Sequence, residues 1–382
     1  MMRSKLPHEG TTIFSVMTAL AQEHQAINLA QGFPDYAAAP DLIDLVRRAM
    51  VDGHNQYAPM PGVPALREAI AGKYQVAHGI VIDGMSEVTI TPGATAALYT
   101  AIAATVHPGD EVIIFDPAYD SYAPAVVVNG GVVRRAHLRP PAYLPDWDEV
   151  RMLLSPNTAM IIINTPHNPT GTMWGKEDLR ALGEMVEGTD IIVLSDEVYE
   201  LITFDGQKHS SVLDVPTLRD RSFVVTSFGK TFHTTGWKIG CCVAAPALTN
   251  EFRKVHQFLS FCVHHPGQVA LAALLNEPTH YLGLSTWFTQ KRDRFRRAVE
   301  GSRWTIRPCQ GTYFQLLGYE GISDISDMEF ARYLTVEVGV AAIPLSPFTG
   351  RPESSSDRAV RFCFAKLDGT LDEAGKRLAA IG

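Results

Sequence analysis

Five short runs rich in apolar and β-branched residues, at 88–91, 112–115, 160–163, 191–194 and 223–226, are mostly continuous rather than alternating, the threonines of V-T-I-T (88–91) being the exception. A strand with one wet face alternates apolar and polar side chains. Continuous runs of this length read instead as strands covered on both faces, the habit of parallel sheets. The stretches between them carry apolar residues at helical spacing, as with Leu179, Leu182, Met185 and Val186 within 176–187. Strand–helix alternation of this kind predicts an α/β fold: a large three-layer domain over 41–275 with a mostly parallel sheet and right-handed crossovers.

The texture changes after 277. Residues 284–299 read as an amphipathic helix whose K-R-D-R-F-R-R stretch (291–297) gives it a largely solvated face. Short strands follow at 311–317 and 360–364, with a helix near 328–337, so 276–382 is expected to form a smaller α+β domain. Residues 1–40, with a helix over 13–23, form an N-terminal arm and part of that smaller domain. The segment 351–357, R-P-E-S-S-S-D, is polar and turn-rich and is expected to be a surface loop.

Several function classes are disfavoured by composition. A net charge of −8 with no basic cluster argues against a nucleic-acid surface. No apolar stretch is long enough to span a bilayer, and residues 1–8 lack a signal-peptide core, so a cytoplasmic location is the expectation. The 5 cysteines have no useful spacing and read as buried free thiols. His264 and His265 could suggest a metal, but neighbours in a strand point to opposite faces and no further ligand stands at suitable spacing, so no metal is expected.

Open α/β sheets bind ligands outside the carboxyl ends of their strands. Here those ends carry a concentrated set of reactive groups. P-G-A-T (92–95) leads into an Ala-rich helix, where small residues let backbone N–H groups and the helix dipole hold a phosphate, with the Thr95 hydroxyl adding a donor. D-P-A-Y (116–119) brings an aromatic ring, Tyr119. N-T-P-H-N-P-T-G (164–171) brings the amide of Asn168, and S-D-E-V-Y (195–199) a carboxylate and a phenol, Asp196 and Tyr199. The fifth strand ends in S-F-G-K-T-F-H-T-T-G-W-K-I-G (227–240), with Ser227, Lys230 and Lys238. A strand-end lysine is ordinarily a solvated surface residue, and each of the other groups has an ordinary role as cap, turn or core residue. Their joint placement favours chemistry. G-K-T (229–231) also matches the tail of a phosphate-binding P-loop, but that motif requires glycine where Val224 stands. Lysine suits covalent work on carbonyl compounds, and a phosphorylated aldehyde cofactor would need its amine together with nearby hydroxyls and a cation.

These motifs, together with A-Q-G-F-P-D (30–35), Q-Y-A-P-M-P-G (56–62) and V-R-F-C-F-A-K (360–366), resemble the fold-type-I aminotransferases that depend on pyridoxal 5'-phosphate. Within that family they are similar to the kynurenine aminotransferase and glutamine transaminase group, and most of all to bacterial methionine aminotransferases. The resemblance covers nearly the whole chain. It implies that Lys230 carries the cofactor, Asp196 pairs with its pyridine nitrogen, Tyr199 and Asn168 bind its ring oxygen, and Tyr119 stacks on the ring. Ala94, Thr95, Ser227 and Lys238 would hold the phosphate, with Tyr57 reaching in from the partner of a homodimer. Many relatives have arginine at the Lys238 position. Arg361 and Asn168 would grip the substrate carboxylate, helped by the Gly32 backbone, and Phe14 would add ring surface.

The activity so implied is ping-pong transfer of an amino group from a neutral apolar, aromatic or sulfur-containing amino acid to a 2-oxo acid. Two other readings use the same motifs. One is a lyase breaking the Cβ–S bond of cysteine conjugates. The other is a non-enzymatic ligand sensor, which would need an attached DNA-binding domain for which the segment before Gln31 leaves little room.

Overall fold

The computed structural model describes residues 3–7, 9–350 and 357–381. A seven-stranded sheet is formed by β1 (Val88–Thr91), β2 (Glu111–Asp116), β3 (Val132–His137), β4 (Thr158–Asn164), β5 (Ile192–Asp196), β6 (Ser222–Ser227) and β7 (Gly240–Ala244), in the order β1-β7-β6-β5-β4-β2-β3. Only β7 runs antiparallel to its neighbours. Successive residues of the strands enter different cores. Ile113, Ile161, Val193, Val224 and Val243 pack in one, while Val112, Ile114, Ile162, Leu194 and Val225 pack in the other. That division is the physical reason for the continuous apolar runs: helices cover both faces, making three layers.

Two strands escape a search for apolar runs. The edge strand β3 is half-exposed and contains Arg134, Arg135 and His137. β7 is built from small residues, Gly240, Cys241 and Cys242, that leave little side-chain signal. A four-stranded antiparallel sheet combines Phe314–Gly318 and Ala359–Cys363 with the short strands Thr305–Ile306 and Ile343–Pro344. The arm returns to this part of the chain, where Ile27–Asn28 pairs in parallel with Val340–Ala341. The helices expected near 13–23, 176–187, 284–299 and 328–337 are present at Ile13–Glu23, Lys176–Val186, Leu284–Val299 and Asp327–Tyr333, the last continuing as a π-turn over Leu334–Val338.

Two expectations need correction. His264 and His265 are not in a strand: His264 caps the helix His265–Leu275, its Nδ1 accepting from Gly267 N–H at 3.2 Å. Of the expected surface loop, 351–356 lie outside the described residues. Its last residue, Asp357, is buried, accepting from Arg307 at 2.7 Å and from the Tyr143 hydroxyl. Four cysteines are buried free thiols as expected, and Cys262 is partly exposed.

Behind the β5 end, Glu200 is buried against Lys73 and His78 of the helix Pro64–His78; its carboxylate bonds Lys73 and lies 2.9 Å from His78 Nε2. Burial penalises that carboxylate, but Lys73 and His78 outweigh the penalty and hold its pKa at about 2, below the ordinary 4.5. The folded state therefore binds this proton less tightly than the unfolded chain. The stabilisation is fully present above about pH 4.5 and lost as pH falls through about 2. Glu200→Gln, which leaves Lys73 buried without its counter-charge, is expected to lower the unfolding free energy at neutral pH by about 3–5 kcal/mol. Denaturant titration at several pH values checks this, and the variant should also lose less stability on acidification than the parent.

Candidate active site

Each parallel strand of the sheet's centre delivers a group to one cavity. Nine of the residues expected at the cofactor line it: Ala94, Thr95, Tyr119, Asn168, Asp196, Tyr199, Ser227, Lys230 and Lys238. At the β1 end, Gly93 adopts φ 84°, a left-handed value open to glycine, and caps the helix Ala94–Thr105. A Cβ there would lie 3.0 Å from Cε and 3.1 Å from Nζ of Lys238, so glycine lets the lysine lie over the helix start. Lys238 itself has φ 53°, a strained value for a side-chain-bearing residue.

Asp196 is buried at the β5 end. Its carboxylate accepts from the Tyr122 hydroxyl at 2.7 Å and from Val198 N–H at 3.3 Å, and Asn164 Nδ2 donates to its carbonyl at 2.8 Å. Burial raises its pKa to about 6 despite the Tyr122 and Val198 bonds and the opposing Lys230 charge. Lys230, on the single turn Phe228–Thr231 after β6, donates to the Tyr313 hydroxyl at 2.7 Å and lies 3.5 Å from the Gly32 carbonyl. Burial pulls its pKa down to about 8; Arg361 and Lys238 push the same way, and Cys363 and Asp196 oppose them. The amine thus titrates near neutrality, where it can give or take a proton.

Arg361, on the strand Ala359–Cys363, is fully buried and lies over the Phe314 ring, 3.8 Å from guanidinium carbon to ring centroid. It donates to Asn168 Oδ1 at 2.6 Å and to the Ala30 carbonyl at 3.0 Å. Its Nε is buried without a hydrogen-bond partner. Phe14 lies 5.2 Å from the same guanidinium. Gly32 thus lies next to Lys230, and Arg361, with Phe14 beside it, next to Asn168. Tyr57 stands apart: it is 82% exposed, edge-on to Phe261 at 5.6 Å.

The pyridoxal phosphate implied by resemblance fits this donor set. Lys238 has no hydrogen-bond or ion-pair partner among the described residues, and with Ser227, Thr95 and the glycine-opened helix start it forms a place for an anion. A buried carboxylate with no cation bonded to it, Asp196, calls for a protonated ring nitrogen. No group of His, Cys, Asp or Glu among the described residues is arranged to hold a metal.

Three residues of the site were not singled out from sequence. Asn164, last residue of β4, accepts from Asn168 N–H at 2.8 Å and so sets the turn that presents Asn168. Tyr122 stands three residues after Tyr119, a spacing that could have suggested a shared face. Tyr313 arrives from the four-stranded sheet's side of the chain, and nothing local marks it.

Residues 24–378 match the family described as aminotransferase class I and II. The methionine aminotransferase of Escherichia coli (strain K12) is 52% identical over 380 residues, covering 99% of this chain and 98% of its own. A crystal structure from Escherichia coli, identified with a methionine aminotransferase function, has a TM-score of 0.97 at 52% identity, over 100% of this chain and 99% of its own. The kynurenine–oxoglutarate transaminase of Dictyostelium discoideum is 31% identical over 410 residues, 97% of this chain and 94% of its own. Among the described residues no helix is long and apolar enough to cross a membrane. The strand-end constellation and the near-complete match lead to one conclusion: the chain belongs to the class I and II aminotransferases, pyridoxal phosphate enzymes that act on amino acids and 2-oxo acids.

Proposed function

We propose that this enzyme transfers the amino group of a neutral, methionine-like amino acid to a 2-oxo acid by a ping-pong route, as a cytoplasmic homodimer. The observation that carries the reading is the partly buried Lys230 amine, held in one cavity with Asp196, Tyr199 and Asn168, and with Arg361 bonded to Asn168. When bound, pyridoxal phosphate supplies an electron sink for the bond broken at the substrate Cα.

The residues of the chain would do the rest. Asp196 is the partner for the ring nitrogen, steered by Tyr122 and Asn164. Tyr199 and Asn168 serve the ring oxygen, Tyr119 the ring face, and Ala94, Thr95, Ser227 and Lys238 the phosphate. Arg361 grips the substrate carboxylate through paired N–H donors, with Asn168 and the Gly32 backbone, and so turns the Cα–H toward Lys230. Lys230 Nζ carries the proton taken from Cα. The sheets suggest a large cofactor-binding unit over 41–275 and a smaller one over 276–382 joined by the 1–40 arm.

Incubating the loaded enzyme with methionine and no acceptor tests this. One equivalent of 2-oxo acid per site, followed by arrest until an acceptor is added, is expected. Continuous pyruvate and thiol release from a cysteine conjugate, without that stoichiometric phase, would replace transfer by elimination.

The 52% identity to a methionine aminotransferase and the aromatic groups Phe14 and Tyr119 support the donor class. Free cysteines, four of them buried, suit a reducing compartment. For the homodimer, the support is the exposed patch around Tyr57, where Phe258 is 87% and Phe261 46% exposed. If the partner's copy of Tyr57 completes each site, active enzyme sediments as a dimer and Tyr57→Ala weakens cofactor retention. Sedimentation of fully active enzyme at monomer mass would contradict it.

A further inference from the structure

Tyr313 precedes the strand Phe314–Gly318 and is fully buried. Its hydroxyl accepts from Lys230 Nζ at 2.7 Å and donates to the Gly32 carbonyl at 2.5 Å. A phenol has a single proton to donate. Because Gly32 takes it, the Tyr313 oxygen acts toward Lys230 as an acceptor alone, and the lone pair of the neutral amine is not consumed by this bond. The lysine nitrogen lies 5.2 Å from the Tyr313 ring centroid and 5.6 Å from that of Tyr199, and the two rings meet edge-on at 5.1 Å. Phe288 and Phe314 pack on the Tyr313 ring at 5.8 and 4.9 Å, which fixes where its oxygen points.

We propose that Tyr313 is a positioning residue for Lys230: its hydroxyl, aimed by the Gly32 carbonyl, docks the amine whenever it is not bonded to the cofactor and keeps its lone pair open toward the substrate Cα. The docking geometry gives a reason for Gly32 beyond substrate binding, since its carbonyl orients the phenol. This inference rests on the assignment of Lys230 as the proton-carrying amine.

An oxygen that accepts from the amine favours its protonated form, so removing it should lower the pH at which Lys230 loses its proton. The other groups facing that amine, Cys363, Arg361, Asp196, Lys238 and Tyr199, stay in place in Tyr313→Phe. Two measurements on the full-length chain test the proposal. In protein stripped of cofactor, the acylation rate of Lys230 is followed against pH by peptide mass spectrometry. The midpoint in Tyr313→Phe is expected about one pH unit lower than in the parent. In the loaded enzyme, kcat for methionine is expected to fall about 10- to 100-fold, with KM changed by less than about threefold and a larger isotope effect from deuterium at Cα.

A midpoint that does not move, a kcat within about twofold of the parent, or a loss confined to KM would each overturn the proposal. Thermal melting checks the fold. If Tyr313→Phe melts early, site-specific 4-aminophenylalanine at 313 keeps the shape and a donor for the Gly32 carbonyl, weakens the acceptor and is read by the same criteria. Failure of the underlying assignment shows elsewhere: Lys230→Ala would then keep turnover, whatever Tyr313→Phe does.

Discussion

Lys230→Ala should lower transamination by about 10⁴-fold or more, because one side chain is being asked both to carry the cofactor and to move the proton. The cavity is lined by only one other lysine among the described residues, Lys238, and it lies over the Gly93 turn rather than beside Tyr313 and Gly32. The variant should also bind pyridoxal phosphate without the absorbance of a lysine-linked cofactor, and reduction with borohydride should fix no cofactor to the chain. Added small amines should recover part of the rate if the proton-carrying role is the larger loss. Near-normal turnover without added amine would remove Lys230 from the mechanism.

The second large effect concerns donor choice. Methionine is expected to exceed aspartate in kcat/KM by about 10²–10³-fold, measured by steady-state kinetics with a common 2-oxo acid. The side chain of a bound donor would meet Phe14 and Tyr119 and, if the proposed homodimer forms, the partner's copy of the segment 257–265, Q-F-L-S-F-C-V-H-H, which holds no arginine or lysine. Burial of an apolar side chain is favourable by about 1.5–3 kcal/mol, and sulfur packs well on aromatic rings. A distal carboxylate would lose several kcal/mol of hydration without a cation to replace it. It would also enter the field of Asp120, whose carboxyl, adjacent to Tyr119, is pushed up by burial although Arg361 opposes the shift. Phenylalanine should behave like methionine. Equal efficiency for aspartate and methionine would mean that a cation reaches the side-chain pocket from an unforeseen direction.

Much of this architecture was legible before any coordinates. Strands covered on both faces are easy to see, because most residues in them are apolar, and the groups that interrupt such runs at their carboxyl ends stand out against that background. Asn168, Asp196, Tyr199, Ser227 and Lys230 stand out this way, each within a few residues of a strand end and each lining the cavity. The edge strand β3 does not, since its outer side faces water and tolerates Arg134 and Arg135. The adjacent histidines could not reveal that His264 closes a helix, because capping depends on where the chain turns rather than on the pair itself. Asp357 read as solvent-facing from its polar neighbours, whereas Arg307 and Tyr143 bond it from distant parts of the chain and it is buried. Tyr313 and Tyr122 illustrate the remaining gap. Their roles are set by contacts across 83 and 74 positions of chain, a distance over which no local pattern carries information.

The left-handed backbone at Lys238 bears on how this enzyme could be engineered. A design protocol that relieves unfavourable torsions would pick this position and install glycine, since a side chain at φ 53° costs about 1 kcal/mol that glycine avoids. The resulting protein should survive heating better when empty and yet release its cofactor sooner, so a screen on melting temperature of the bare chain would select against the catalyst. Screening in the presence of pyridoxal phosphate should reverse the ranking, because bound ligand adds stability as the logarithm of its concentration over Kd, and the lysine would lower that Kd.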